Sequence, residues 1–500
     1  MDTGNKPHKK LDTVSLFSGC GGLDLGFLIS GHFNIKFASD INPAAADTYS
    51  ENFKSKKVSK LPKIPEKEPL FMISDIQDLD FAKLVSLFPY TEAVIGGPPC
   101  QDFSLARGTD REDTCIYTNR GKLYSYFVKP LIYIKPKYFV FENVPGIISH
   151  NKGNTWDTIR EDFTNLSLHA EDIEKVAGDG FSEISSEYFL AYQGVADASA
   201  VGVPQKRKRV IIVGVRKDLL KDSPVGSEDD LSNKIRQICT SKIQGEGLSF
   251  KEYPLSSFEA FEGNTLDQLE DKYRNIMKEW FFNDKNGEAN ELLDWVTKNS
   301  PTFKENILKN YCRANSSEFS YENLALAMED HRKVLEYMRS KNVIESSSED
   351  GFDESCVIPN EKLQVRSRLY FTPPDENYKF LYRHERWRVE GKNISMIYRR
   401  IHPLKPSYTV TASGGGGTHG YHYERSRSRL TNRERARLQS FPDWFKFIGT
   451  YTQQREIIGN AVPPILGKAV ADAIFNIDRL LSGRFDATNQ EHLIFKKPLI

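Results

Sequence analysis

Short apolar runs rich in β-branched residues recur through the first 216 residues of the chain, separated by polar stretches of helix length. They predict strands near Thr13–Phe17, Ile35–Asp40, Phe71–Ser74, Ala93–Ile95, Tyr138–Phe141, Tyr188–Tyr192 and Arg209–Val215. Apolar strands alternating with helical segments read as a parallel, doubly wound α/β sheet, in which chemistry gathers at the carboxyl ends of the strands.

The pattern stops near Lys217. Residues 217–360 are polar and broken by Ser/Glu/Asp clusters such as ESSSEDGFDES (345–355), which reads as a loop. Helical spacing returns at Asn290–Thr297 and Glu322–Met338. Near 430 the compact style resumes with LTNRERARLQSFP and an apolar helix, ILGKAVADAIFNIDRLL. The reading is a catalytic, cofactor-binding domain over 11–216, an inserted smaller domain over 217–429, and a C-terminal segment, 430–500, that completes the first domain, with its final helix beside the first strand. There is no internal repeat.

Composition adds bounds. Of 500 residues, 39% are hydrophobic, 12% aromatic and 27% charged, as in an ordinary globular protein. No apolar run approaches the ~18 residues of a membrane span, and the polar N-terminus has no signal-peptide core. The expectation is a cytoplasmic protein without a membrane. The six cysteines are scattered without a CxxC pair, which argues against a disulfide framework or a metal site and for a reducing compartment. The net charge of zero averages unlike parts: 241–360 holds 14 Lys+Arg against 23 Asp+Glu (−9), and 361–440 holds 17 against 7 (+10). Arginine interleaved with Tyr370, Tyr382, Trp387, Tyr398, Tyr408, Tyr421 and Tyr423 fits a nucleic-acid surface.

The candidate chemistry follows the strands. After the first comes LFSGCGGLDLGF, where Gly19, Gly21 and Gly22 permit a tight turn and close backbone approach. It lacks the full GxGxxG spacing of a dinucleotide site. Asp40 at the end of the second strand can take ribose hydroxyls, and Asp75 after the third can accept from an adenine amine. Together they suggest an adenosine-bearing cofactor without a pyrophosphate. The fourth strand runs into GGPPCQDFS, where two prolines hold the backbone non-helical and aim Cys100. The fifth delivers Glu142 in FVFENVPG, a carboxylate whose burial calls for a partner. GVPQKRKRVIIVG then places Gln205, Arg207 and Arg209 at the start of an apolar strand, where the cations could lower a nearby thiol pKa.

In this order the motifs resemble those of the DNA (cytosine-5) methyltransferases. The likeness rests on Phe17-Ser18-Gly19-Cys20-Gly21-Gly22, Pro98-Pro99-Cys100-Gln101, Glu142-Asn143-Val144 and Gln205 to Arg209. It continues in Arg433-Glu434 with Arg437-Leu438-Gln439-Ser440-Phe441-Pro442, and in Gly459-Asn460-Ala461-Val462-Pro463. It covers roughly 11–216 and 430–480.

The resemblance implies a Rossmann-like S-adenosyl-L-methionine-dependent methyltransferase sheet with 217–429 as the target-recognition domain. It implies Cys100 as nucleophile, Glu142 at the cytosine N3 edge, and Arg209, with Arg207, as the stabilising cation. The cofactor would meet Phe17, Ser18, Gly19, Gly21 and Gly22, then Asp40, Ile41, Asp75, Ile76, Pro98 and Leu123, with Asn460 and Ala461 reaching back from the C-terminal segment. Double-stranded DNA would meet Gln101, Ser104, Arg120 and Gln205 around the flipped base, the stretch Gln101–Gly121 closing over it. Recognition is expected in 361–429: Arg399, Arg400, Thr409, Thr411, Arg425 and Arg427 flank the glycine run Gly414–Gly417. No metal is expected. The implied role is protection in a prokaryotic restriction–modification system, the enzyme monomeric on DNA and a cognate endonuclease acting separately. An RNA cytosine-5 methyltransferase of the same fold and a non-catalytic DNA-binding regulator stay as alternatives; a nicotinamide enzyme has no use for PPCQ.

Overall fold

The computed structural model describes residues 9–99, 121–166, 187–221, 226–268, 303–340, 354–383, 385–389, 397–413, 420–424, 427–485 and 493–495. The chain forms two compact units. The first comprises Met1–Asp197, Lys208–Gly247 and Pro464–Ile500, the second Ala198–Arg207 and Leu248–Pro463.

The first unit is built on one eight-stranded sheet. Its strands are β1 (Leu11–Leu16), β2 (Phe33–Asp40), β3 (Lys56–Val58), β4 (Leu70–Ile73), β5 (Ala93–Gly96), β6 (Tyr138–Asn143), β7 (Tyr188–Asp197) and β8 (Lys208–Arg216), in the order β3-β4-β2-β1-β5-β6-β8-β7. The chain winds outward from β1 through β2, returns to β5 on the other side and continues to β6. The order therefore reverses at β1/β5, where α/β sheets place their ligands. Register fixes three strand ends side by side: Leu16 opposite Gly96, and Gly96 opposite Phe141.

Two features of the sheet depart from the sequence reading. The sheet is not wholly parallel, because β8 runs antiparallel to both β6 and β7. The connection 198–207 holds only a 3₁₀ turn, Ala198–Val201, and a parallel return needs a longer crossover, usually a helix. The short edge strand β3, with two exposed lysines in three residues, carries too little apolar pattern to be read in advance.

An aromatic cluster sits within a largely aliphatic core. Phe127, Phe139, Phe141 and Phe163, all fully buried, meet edge-to-face or tilted, the favoured geometry for ring pairs. Helix α1 (Gly22–Ser30) follows β1, α2 (Pro43–Phe53) follows β2 with Asn42 as its cap, α3 (Phe81–Leu87) precedes β5, and α4 (Ser125–Tyr133) precedes β6. The final helix, Pro464–Leu481, packs chiefly on α1 rather than beside the first strand, with Gly26 and Gly467 at the crossing. Its Asp478 accepts a hydrogen bond from the Tyr138 hydroxyl at 2.9 Å.

The units divide the chain at different points from those expected. Helix Glu228–Ile243 belongs to the first unit, its buried stripe Leu231, Ile235, Cys239 and Ile243 recurring every fourth residue. Segment 430–463 belongs to the second unit instead of completing the first. The second unit contains helix Tyr321–Arg339, the expected helix near Glu322–Met338. The expected helix at Asn290–Thr297 and most of loop 345–355 lie outside the described residues.

Capping boxes start three helices of the second unit, pairing Ser256 with Glu259, Thr431 with Glu434 and Thr450 with Gln453. His331 is fully buried and locked at both ring nitrogens, Nδ1 on Glu259 Oε1 and Nε2 on the Tyr253 carbonyl oxygen, each at 2.9 Å.

Tyr451–Leu481 is the one stretch among the described residues long and apolar enough to cross a membrane. It is two helices, Tyr451–Asn460 and Pro464–Leu481, and most of it is buried against protein.

Candidate active site

The turn after β1 is shaped by backbone rather than side chains. Phe17 and Gly19 both take φ of 54°, and Gly21 takes 85°. A side chain at Gly21 is excluded, since its β-carbon would lie 2.3 Å from the Phe53 ring; at Gly19 the same position is open. Asp40, at the end of β2, accepts from the Gly19 and Asn42 amides at 2.8 and 2.9 Å and so ties the turn to the next strand. Burial pushes its carboxyl above the usual range. Ile41 beside it is 63% exposed, an apolar face left to solvent at a strand end. Asp75 caps the 3₁₀ turn Ile76–Asp78 by accepting from the Gln77 amide, and Ile76 is buried. Leu123 packs half-buried against the core of the sheet. Cys20 is buried and burial pushes its thiol well up, so it is not a ready nucleophile.

At the end of β6, Glu142 faces Arg209 from the start of β8, with Nε 2.8 Å from Oε1 and both side chains largely shielded. A charged pair in this setting is held firmly because neither partner has bulk water to replace the other. The antiparallel run of β8 makes this possible: it brings the amino end of β8 level with the carboxyl end of β6, Val210 opposite Asn143. Gly97 leaves β5 against the same carboxylate. Asn143 then fixes the turn from the other side, its Nδ2 donating to the Pro98 carbonyl oxygen at 3.3 Å. Pro98 is buried and Pro99 exposed. Gly97 and Asn143 stand inside the quoted motifs, yet their supporting roles depend on contacts between strands and were not legible. Cys100, Gln101, Ser104, Arg120 and Arg425 lie outside the described residues, as do Gly414–Gly417.

Three expected site residues have other work in the second unit. Arg207 is fully buried and donates to the carbonyl oxygens of Val410, Gly459 and Ala461 at 2.9–3.0 Å. It positions the GNA segment rather than facing a substrate. Gln205, also fully buried, donates to Leu438 O and Gln439 Oε1 and accepts from the Val410 amide, so it is a strut and not a DNA contact. Arg400 donates to the carbonyl oxygens of Leu369, Thr372, His422 and Glu424 and is fully buried. Arg399 and Arg427 keep partial exposure, the first over the Tyr408 ring and near Asp375, the second paired with Glu434 at 2.6 Å. The hydroxyls of Thr409 and Thr411 donate to the carbonyl oxygens of Lys206 and Ser413 at exposed positions. Asn460 is exposed at the end of helix Tyr451–Asn460, and Ala461 caps that helix.

A doubly wound sheet with a glycine turn at its switch point, and a carboxylate–guanidinium pair one strand from a diproline turn, define an enzyme of the Rossmann-like methyltransferase class. The family model for C-5 cytosine-specific DNA methylase matches residues 11–476. DNA (cytosine-5-)-methyltransferase M.ApeKI of Aeropyrum pernix is 40% identical over 94% of this chain and 99% of its own. Type II methyltransferase M.NgoFVII of Neisseria gonorrhoeae is 28% identical over 99% of this chain and 94% of its own. A solved putative DNA modification methyltransferase encoded within an E. coli prophage shares the fold, with a TM-score of 0.52 at 22% identity over 94% of this chain and all of that one. The chain belongs to the C-5 cytosine-specific DNA methylase family and is a DNA (cytosine-5-)-methyltransferase.

Proposed function

We propose that this enzyme methylates C5 of a cytosine flipped out of double-stranded DNA, using S-adenosyl-L-methionine and a covalent bond between Cys100 and C6 of the base. The observation that carries the reading is the Arg209–Glu142 contact of 2.8 Å beside the Gly97-Pro98-Pro99 turn that leads into Cys100. Cytosine C5 is a weak nucleophile. Addition of a thiolate to C6 makes it an enamine carbon, which is covalent catalysis by an activated cysteine. Glu142 would hold N3 and the exocyclic amine while charge enters the ring, and Arg209 would hold Glu142. Loss of the C5 proton then expels Cys100 and restores aromaticity. A base inside a duplex presents neither face to a thiol, so it must be extruded first.

The residues present fit the methyl donor. The position at Gly19 is open, Asp40 stands at the end of β2, and Ile41 offers an exposed apolar surface there. Phe17, Ser18, Asp40, Ile41 and Asp75 would hold it. When bound, S-adenosyl-L-methionine supplies an electrophilic methyl group on a sulfonium.

The second unit, with Arg399, Thr409, Thr411 and Arg427, would recognise the target sequence. The type II names of several relatives support a protective role in a restriction–modification system, in a prokaryotic cytoplasm, with the enzyme monomeric on DNA and an endonuclease acting separately.

The test is trapping. Duplex DNA carrying 5-fluorocytosine blocks the elimination step, so incubation with S-adenosyl-L-methionine should leave an adduct that peptide mapping places on Cys100. An adduct on Cys20 or Cys115 overturns the assignment, and methyl transfer to tRNA but not to duplex DNA overturns the substrate.

A further inference from the structure

We infer that Asp24, on the first turn of α1, makes the cofactor loop prefer a cationic methyl donor over the neutral product left after transfer. The inference rests on the proposed cofactor and concerns a residue the mechanism above does not use. Asp24 is fully buried. Its carboxylate accepts from the Ser15 hydroxyl at 3.0 Å and the Tyr49 hydroxyl at 2.9 Å, two donors that favour the ionised form. Ser15, having given its only hydroxyl proton to Asp24, in turn accepts from Ser18 at 2.9 Å. The charge is thus wired within two hydrogen bonds to the glycine turn.

No Lys, Arg or His pairs with Asp24 or Asp40 among the described residues. The N-terminus of α1 supplies only about half a unit of positive charge. A buried anion without a counter-ion costs free energy that a nearby cation recovers. The donor carries a sulfonium and its demethylated product a neutral thioether; everything else in the two molecules is the same. A fixed buried negative charge therefore stabilises the first and not the second, and helps release the product.

Among the described residues, the titratable groups that interact with Asp24 are Tyr49 on α2 and Cys20 in the turn, and Cys20 also feels Asp40 on β2. Burial, as the main cause, holds Tyr49 and Cys20 protonated, so neither contributes charge. Burial also pushes the Asp24 carboxyl up to about 6. A cation arriving nearby lowers that value, so donor binding near this pH releases a proton from Asp24.

Calorimetry on the full chain, without DNA, with S-adenosyl-L-methionine and S-adenosyl-L-homocysteine reads both consequences. At neutral pH, Asp24→Asn should weaken donor binding about tenfold more than product binding. Near pH 6, in buffers of different ionisation enthalpy, donor binding to the wild-type chain should release more protons than product binding. Tyr49→Phe, which keeps the charge but removes one donor to it, should retain the preference at neutral pH and lose it at a higher pH than wild type on acidification. Equal losses for both ligands in Asp24→Asn, or equal proton release for both in the wild type, overturns the inference. The proton measurement decides the matter even if Asp24→Asn does not fold. A wild-type chain that binds neither ligand refutes the proposed cofactor instead.

Discussion

A β-carbon on Gly97 would lie 2.6 Å from Glu142 Oε2. The carboxylate and the diproline turn can share one corner of the sheet only because residue 97 has no side chain. Gly97→Ala must displace Glu142 or the turn, an overpacking that costs roughly 1–3 kcal/mol. The expected result is a folded protein with methyl transfer lowered by about a hundredfold, the size of loss that a small misplacement of reacting groups causes. Steady-state kinetics beside a thermal melt separates the two effects.

Glu142→Gln keeps the volume of the side chain but loses its charge and, on the proposed mechanism, its proton-linked bond to the base. Methyl transfer should fall by ~10²–10⁴ while S-adenosyl-L-methionine still binds. Arg209→Ala removes the guanidinium 2.8 Å away and should fall by about 10² in the same assay. Near-wild-type turnover of Glu142→Gln would demote that residue to a structural carboxylate.

Gly26 and Gly467 let two helices of the first unit touch backbone to backbone. A β-carbon at Gly26 would meet the Pro464 carbonyl oxygen at 2.5 Å and Gly467 Cα at 2.6 Å, whereas one at Gly467 would meet Leu23 O at 2.9 Å. Backbone cannot swing aside as a side chain can. Gly26→Ala should therefore destabilise by about 1–3 kcal/mol and Gly467→Ala by less, read as midpoints of denaturant unfolding.

Burial opposes charge on both His331 and Glu259, but their contact wins: the histidine is raised from its ordinary value of 6.5 and the glutamate lowered from 4.5. A raised histidine gives stability that is complete below 6.5 and fades as pH climbs past the raised value. A lowered carboxyl gives stability present above 4.5 and lost on acidification. The pair should contribute most between these values. His331→Gln leaves Glu259 buried without its cation, at a cost of about 3–5 kcal/mol. The stability difference from wild type should narrow as pH rises into the alkaline range; a difference independent of pH would show that the pair is not ionised.

Arg400 spends its guanidinium on four carbonyl oxygens, so Arg400→Ala should destabilise the second unit and lower methylation of every sequence alike. Arg399→Ala and Arg427→Ala should leave folding nearly intact. If either side chain reads a base, methylation profiled over a randomised duplex library should relax at one position by about 1–3 kcal/mol. Uniform loss in both would place specificity elsewhere in the second unit.

Much of the first unit was legible in the residues themselves. Seven of the strands announce themselves through apolar, β-branched runs, and Gly19 to Gly22, the diproline turn and Glu142 follow them at strand ends. Those signals are local: side-chain shape, turn chemistry and period act over a few residues. Their order along the chain also marked the family. What only the tertiary structure decided is where a given charge points. Arg207, Arg209 and Arg400 look alike in a basic stretch. Yet Arg207 turns inward to carbonyl oxygens of residues 410, 459 and 461, Arg400 to those of residues 369, 372, 422 and 424, and Arg209 alone faces Glu142. The reversal of β8, which brings Arg209 level with Glu142, is likewise absent from any local pattern. A guanidinium settles wherever unpaired acceptors are held for it, and those acceptors come from segments up to 254 residues away in sequence. Their meeting is a property of the folded chain.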